Sequence, residues 1–102
     1  NRLTNLQTLD LHQNQLIGPL PTINLLPSLI KLQLSYNSIF ESIPNEYFSI
    51  NGLLDLSHNA LTGTIPSIIK TKILRLNYNY LRGDIPRNQK PEWDLSNNFF
   101  NN

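Results

Sequence analysis

The stretch Leu9–Leu16 reads L-D-L-H-Q-N-Q-L, and closely similar strings begin at residues 32, 54 and 74: L-Q-L-S-Y-N-S-I, L-D-L-S-H-N-A-L and L-R-L-N-Y-N-Y-L. The Asn of this pattern occurs five times, with spacings of 23, 22, 20 and 19 residues, at Asn14, Asn37, Asn59, Asn79 and Asn98. A unit this short cannot bury its own apolar face and must stack on its neighbours. The repetition therefore predicts a solenoid.

Each copy carries two apolar residues separated by one residue, such as Leu9 and Leu11. This spacing predicts a short strand whose two apolar side chains point the same way. Because successive copies run in one direction, we expect a parallel sheet with these side chains in the core and the opposite, inner face open. The recurring Asn lies where the chain must turn, so its amide is expected to bond backbone groups that the turn leaves unpaired.

A second bend is predicted six residues after each of the first four Asn residues, where an apolar residue precedes Pro: Leu20-Pro21, Ile43-Pro44, Ile65-Pro66 and Ile85-Pro86. Gly stands two residues before the apolar residue in three copies, and Glu41 replaces it in the other. Glycine permits positive φ at a corner, and Pro fixes an extended conformation.

The strings L-T-G-T-I-P (61–66) and L-R-G-D-I-P (81–86) resemble the plant-type leucine-rich repeats of receptor ectodomains and secreted inhibitors. The resemblance covers almost the whole chain. It implies an α/β solenoid, mostly β and coil, right-handed, with about five repeats, a parallel sheet on the inner face and a short second strand near each G-x-I-P. It also implies an extracellular or cell-surface location, although the chain has no signal peptide, cysteine or glycosylation sequon to support this.

The outer arms of the coils shorten along the chain. The early arms carry an L-x-x-L spacing, at Leu3, Leu6 and Leu9 and again at Leu26, Leu29 and Leu32, which predicts a short helical turn. In the third arm we expect Tyr47 and Phe48 to pack down in place of such Leu residues. The arms at 68–72 and 87–91 are too short for a helical turn and are expected to be extended. We interpret residues 1–102 as a single leucine-rich repeat domain, a segment of a longer array without caps.

The composition argues against several classes of function. Eight basic and seven acidic residues give a net charge of +1 with no block of one sign, so neither nucleic acid nor a membrane surface is an expected partner. The histidines, His12 and His58, lie two coils apart, about 10 Å by strand spacing, which is too far for joint metal ligation. No catalytic, cofactor-binding or metal-binding residues are predicted, and the chain is not expected to be an enzyme.

The outward-facing residues should align in four rows across the inner face. The first row is Thr8, Lys31, Leu53, Ile73 and Glu92; the second is Asp10, Gln33, Asp55, Arg75 and Asp94; the third is His12, Ser35, Ser57, Asn77 and Ser96; the fourth is Gln13, Tyr36, His58, Tyr78 and Asn97. The fourth row has the aromatic composition of recognition surfaces, although Tyr and His could also merely cover the sheet edge. Arg75 is expected to form cross-strand ion pairs with Asp55 and Asp94.

The sequence thus predicts a recognition module that binds a protein or peptide ligand on its inner face. The predicted contact residues are the fourth row, with His12, Lys31 and Arg75 from the other rows. The alternative is a structural repeat element that self-associates end to end through uncapped ends.

Overall fold

The regular spacing of the Leu pairs places one short strand in every coil. The computed structural model describes residues 6–21 and 28–101. Five parallel strands form one sheet in the order β1-β3-β5-β7-β9, which we call the main sheet: β1 (Thr8–Asp10), β3 (Lys31–Gln33), β5 (Leu53–Asp55), β7 (Ile73–Arg75) and β9 (Trp93–Asp94). The predicted parallel-strand solenoid is confirmed.

A second strand follows each strand of the main sheet, as the resemblance implied. These strands are β2 (Ile17–Gly18), β4 (Ser38–Glu41), β6 (Ala60–Leu61), β8 (Arg82–Asp84) and β10 (Phe99–Asn101). They pair in parallel as β2-β4-β6 and β8-β10. Four of these strands, β2, β4, β6 and β8, end before the apolar residue and Pro of the second bend, because Pro cannot donate to a strand ladder.

The core is a set of stacked Leu columns. Leu32, Leu54 and Leu74 are neighbours in the register of the main sheet and are almost completely buried. The predicted column of Leu11, Leu34, Leu56 and Leu76 is also formed, since each backbone N–H donates to the next coil, from Leu11 N to Gln33 O (2.8 Å) through Leu76 N to Asp94 O (2.9 Å). Burying a Leu side chain contributes about 1.5–3 kcal/mol, so these columns hold the coils together.

The outer arms differ in structure along the chain. Among the described residues the helical structure is one 3-10 helix, Asn45–Ser49, which buries Tyr47 and Phe48 against the core. The Tyr47 hydroxyl donates to the carbonyl of Pro21, and burial raises the pKa of Tyr47. The arm at 68–72 contains no helix and no turn, only a bend at its end. The arm at 87–91 was also expected to be extended, but this was wrong: it contains turns at 87–88 and from 91, where the chain must reverse direction within few residues. The expected helical turns involving Leu3 and Leu26 lie outside the described residues.

Candidate functional site

The four predicted rows lie across the inner face of the main sheet, but not every member is exposed as expected: Ser35, Asp55 and Ser57 are buried. Thr8, Lys31, Leu53 and Ile73 are successive partners in the first row, and Asp10, Gln33, Asp55, Arg75 and Asp94 in the second. The ladder continues past the ends of the strands. Tyr36 N donates to Ser57 O (3.1 Å), His58 N to Asn77 O (3.0 Å) and Tyr78 N to Ser96 O (3.1 Å). The backbone of the fourth row is therefore hydrogen-bonded from coil to coil, even though it lies beyond the strands.

Three aromatic rings of the fourth row form a continuous stack. The ring centroids of Tyr36 and His58 are 4.1 Å apart with planes 9° from parallel, and those of His58 and Tyr78 are 4.5 Å apart at 15°. Tyr36 and Tyr78 remain 52% and 51% exposed. Because the rings face one another, the stack presents its edges and the two Tyr hydroxyls to solvent. It combines apolar area with hydrogen-bonding groups on one rigid support.

All five residues of the fourth row have positive φ, between 55° and 61°: Gln13, Tyr36, His58, Tyr78 and Asn97. This left-handed region is strained for residues other than Gly and Asn, at roughly 1–2 kcal/mol per residue. Sequence reasoning missed the conformation. The only signal for it was Asn97, since Asn is the residue type here that adopts this region readily.

The Asn column beside the fourth row holds the turn in place. Asn79 Oδ1 accepts from Leu61 N (3.0 Å), while its Nδ2 donates to the carbonyls of Leu76 (3.1 Å) and Leu56 (2.9 Å). Asn37, Asn59 and Asn98 make the equivalent three contacts. Each of these amides thus joins two coils, which confirms the structural role predicted for the recurring Asn.

The second and third rows are mostly tied to each other. Asp55 Oδ1 accepts from the hydroxyl (2.7 Å) and the backbone N–H (3.1 Å) of Ser57, and Asp94 accepts from Ser96 in the same way (2.6 and 3.1 Å). In the first coil, His12 replaces Ser, and its ring and backbone N–H contact the Asp10 carboxylate. These hydrogen bonds lower the pKa of Asp10.

The remaining predicted site residues lie apart from the aromatic stack. Arg75 is paired with Asp55 at 3.9 Å between Nη1 and Oδ2, but the expected pair with Asp94 is not formed in the described part of the chain. Lys31 is exposed in the first row, and His12 is engaged with Asp10 in the third. The structure therefore brings Tyr36, His58 and Tyr78 together and leaves His12, Lys31 and Arg75 as separate groups. The binding role of all of them stays a prediction.

Two kinds of feature are absent from the described residues. No group of three or more His, Asp or Glu side chains is arranged to hold a metal ion in residues 6–21 and 28–101. In the same ranges there is no helix of the length and hydropathy needed to cross a membrane.

Known proteins resemble this chain in sequence and in structure. A sequence model described as Leucine Rich Repeat matches residues 5–25, 28–50 and 53–72. A curated relative, Pollen receptor-like kinase 2 of Arabidopsis thaliana, is 42% identical over 67 residues, which cover 65% of this chain and 10% of the relative. The chain thus spans about a tenth of that relative's length.

Two solved structures share the architecture. The LRR ectodomain of the plant membrane receptor kinase GASSHO1/SCHENGEN3 from Arabidopsis thaliana, solved in complex with CASPARIAN STRIP INTEGRITY FACTOR 2, aligns with a TM-score of 0.82 and 30% identity over 95% of this chain and 13% of that one. A chain from the complex of the Arabidopsis receptor kinase HAESA with the peptide hormone IDA and the co-receptor SERK1 aligns with a TM-score of 0.54 and 30% identity, over 79% of this chain and 19% of that one. With the repeat pattern, the parallel solenoid and these matches in agreement, the chain belongs to the leucine-rich repeat family.

Proposed function

We propose that this chain is a non-catalytic recognition module that binds a protein or peptide on the inner, concave face of its main sheet. The related ectodomain structures support the partner class, since one is a complex with CASPARIAN STRIP INTEGRITY FACTOR 2 and the other contains the peptide hormone IDA and the co-receptor SERK1. The same relatives support a location outside the cell, and we propose that the chain is one stretch of a longer repeat array.

The observation that carries this proposal is the stack of Tyr36, His58 and Tyr78. Three aromatic rings held side by side on a hydrogen-bonded backbone lose little conformational entropy when a partner binds. Tyr is also enriched among the residues that dominate binding energy at interfaces. All three residues have a left-handed backbone conformation that Asn or Gly could also adopt. The turn itself therefore does not need aromatic side chains.

The test begins with peptides selected from a random display library on the immobilised chain. We expect the double substitution Tyr36→Ala and Tyr78→Ala to weaken binding of these peptides by at least tenfold, because both flanking rings of the stack are lost. The free energy of unfolding should fall by no more than about 1–2 kcal/mol, because two ring contacts are lost but both Tyr side chains are half-exposed. Calorimetric titration and thermal unfolding measure the two effects.

Tyr80→Ala is the matched control for this experiment. Tyr80 is 55% exposed, much like Tyr36 and Tyr78, but it lies two residues beyond Tyr78, outside the fourth row. It should leave peptide binding unchanged. Binding that survives the double substitution, or falls equally with Tyr80→Ala, would overturn the assignment of the site.

The second candidate function is end-to-end self-association. It is favoured by an apolar groove of about 370 Å³ at the β1 and β2 end of the solenoid, where Leu11, Leu16 and Ile17 are 39%, 38% and 76% exposed. Stacking of a further coil or a second copy there would bury this surface. If the molar mass from light scattering does not change with protein concentration, self-association is excluded and the recognition proposal is unaffected.

A further inference from the structure

A second surface on the main sheet lies at the beginning of the strands, opposite the aromatic stack. It is a shallow groove of about 340 Å³ across β3, β5 and β7. Its apolar floor is formed by Leu53 and Ile73, both half-buried, and by Ile30, which is 48% exposed. Lys31 and Lys72, both exposed, also line it. We call this surface the lysine groove.

The backbone beneath the lysine groove is fixed by Gly52. A Cβ at this position would stand 2.2 Å from the carbonyl oxygen of Ile30, so only glycine fits beside that residue. The Ile30 carbonyl accepts from Leu53 N (3.0 Å), and the Gly52 carbonyl accepts from both Lys72 N (3.1 Å) and Ile73 N (2.9 Å). The absence of a side chain lets the Gly52 backbone pack directly against the Ile30 backbone, and this close contact fixes the chain that forms the groove. The groove is therefore preformed, which reduces the entropy lost on binding.

The two lysines of the lysine groove have no carboxylate in the described part of the chain close enough to form an ion pair. Neither Lys31 nor Lys72 forms an ion pair with another of the described residues. The carboxylate of Asp10 is within electrostatic range of Lys31 but accepts hydrogen bonds from His12. Asp55 is engaged by Ser57 and Arg75. Glu92 directly precedes Trp93, the partner of Leu74, but it lies outside the paired part of β7 and β9. Within the described residues, Lys31 and Lys72 therefore have no carboxylate at ion-pair distance, although Asp10 attracts Lys31 over a longer range.

We propose that the lysine groove binds a segment of the partner in which a Glu or Asp adjoins a large aliphatic residue. The aliphatic side chain covers Leu53 and Ile73, and the carboxylate lies between Lys31 and Lys72. Apolar burial supplies the attraction, and the two ammonium groups select a carboxylate over a neutral side chain. The proposal rests on the proposed function and specifies the chemistry of its ligand.

The spacing of the two surfaces also sets the length of the ligand. The lysine groove and the aromatic stack are five residues apart along one coil, from Leu53 in β5 to His58 beyond its end, which is at most about 16 Å at the rise of a β-strand. An extended peptide of about five residues covers this distance. The acidic-aliphatic pair of the partner should therefore lie about five residues from the residue that contacts the aromatic stack.

The test is an NMR titration of the ¹⁵N-labelled chain with two synthetic peptides, acetyl-Leu-Glu-Leu-amide and acetyl-Leu-Gln-Leu-amide. The Glu peptide should bind at least fivefold more tightly and shift the amide signals of Lys31, Leu53 and Ile73. The double substitution Lys31→Gln and Lys72→Gln should reduce the affinity for the Glu peptide to that for the Gln peptide. Added salt should do the same, because exposed charges are screened.

Lys70→Gln is the matched control, because Lys70 is exposed on the outer arm two residues before Lys72 and does not line the groove. It should leave both affinities unchanged. Equal affinities for the two peptides, loss with Lys70→Gln, or shifts confined to Leu11 and Leu16 at the apolar end would each overturn the proposal.

The outcome also separates the two proposals. If neither tripeptide binds while display-selected peptides still require Tyr36 and Tyr78, only the lysine groove is wrong. If the Glu peptide binds as expected and the double Tyr substitution has no effect on selected peptides, the groove stands and the aromatic site is wrong.

Discussion

The Asn column and the fourth row are one residue apart in every coil, yet they are built on opposite principles. Asn79 is 5% exposed and uses both ends of its amide to join neighbouring coils. Tyr78, beside it, is half-exposed, is in the left-handed region, and contacts the ring of His58. The column keeps one residue type in all five coils, whereas the row varies. One position supports the turn, and the next displays a side chain on it.

The largest effect should come from breaking the Asn column. Asn79→Ala removes the acceptor of the buried Leu61 N–H and one donor each to the Leu56 and Leu76 carbonyls. Those carbonyls keep a second amide donor, from Asn59 and Asn98. The main loss is therefore the unsatisfied N–H, and we expect the free energy of unfolding to fall by about 2–3 kcal/mol. Urea unfolding followed by circular dichroism measures it.

Asn14→Ala is the control for the column. Asn14 is exposed in the first coil and donates to the carbonyls of Leu11 and His12. The Leu11 carbonyl also accepts from Asn37. We expect a loss below about 1 kcal/mol here, because no buried group is left without a partner. Equal losses at the two positions would show that the Asn residues do not act through buried hydrogen bonds.

A smaller effect should distinguish the neighbouring row. Tyr78→Val places a β-branched residue at φ 61° and removes one ring of the stack. We expect the free energy of unfolding to fall by about 1–2 kcal/mol. Tyr78→Asn also loses the ring but is compatible with the left-handed region, so its loss should stay below about 0.5 kcal/mol. The same urea titration measures both.

The comparison substitution is Tyr80→Val, at a position of similar exposure that does not have positive φ. The Tyr80 ring is stacked on Phe99, with centroids 6.1 Å apart, so this substitution also removes one ring contact but adds no strain at positive φ. It should lower the free energy of unfolding by about 0.5–1 kcal/mol, less than Tyr78→Val. If Val and Asn at position 78 had the same effect, the left-handed conformation of the row would not control its stability.

The Asn column could be predicted from the sequence, whereas the left-handed conformation of the fourth row could not, for a physical reason. A group that must bond the backbone of its own and the adjacent coil restricts its position to one residue type, and the repetition makes that restriction visible. The left-handed turn restricts only the backbone of the next residue. Tyr36, His58 and Tyr78 adopt it without being typical of it, so the letters carry no sign of it.

The packing of the third arm and the lysine groove show the same difference between what the sequence predicts and what it does not. The packing of Tyr47 and Phe48 followed from the need to fill an arm without Leu, and it is confirmed. The lysine groove could not be predicted, because it depends on Gly52 facing Ile30 from the preceding coil. The arms have unequal lengths, so their alignment in space is not fixed by the repeat. The main sheet could be aligned from the sequence because its strands share one pattern.

The smallest effect is expected at Glu41, a left-handed position outside both proposed binding surfaces. Glu41 has φ 71° and lies where Gly18, Gly63 and Gly83 occur in the other coils. It is not part of a stack that could offset the strain. Glu41→Gly should raise the free energy of unfolding by about 0.5–1 kcal/mol, since the relief of strain exceeds the entropy lost by glycine. The melting temperature should rise by a few degrees in calorimetry.

Gly63→Ala in the following coil gives the reverse test. Its φ is 86°, and an added Cβ would lie 3.1 Å from the Cβ of Ser42, so stability should fall by about 1 kcal/mol or more. Opposite signs at Glu41 and Gly63 would show that the corner gains from losing its side chain. A side chain in the left-handed region would then have a measurable cost in stability, and we propose that at Tyr36 and Tyr78 partner binding is what offsets it. A Glu41→Gly variant no more stable than the parent chain would remove that contrast, and strain in the aromatic row could no longer be used as an argument for its function.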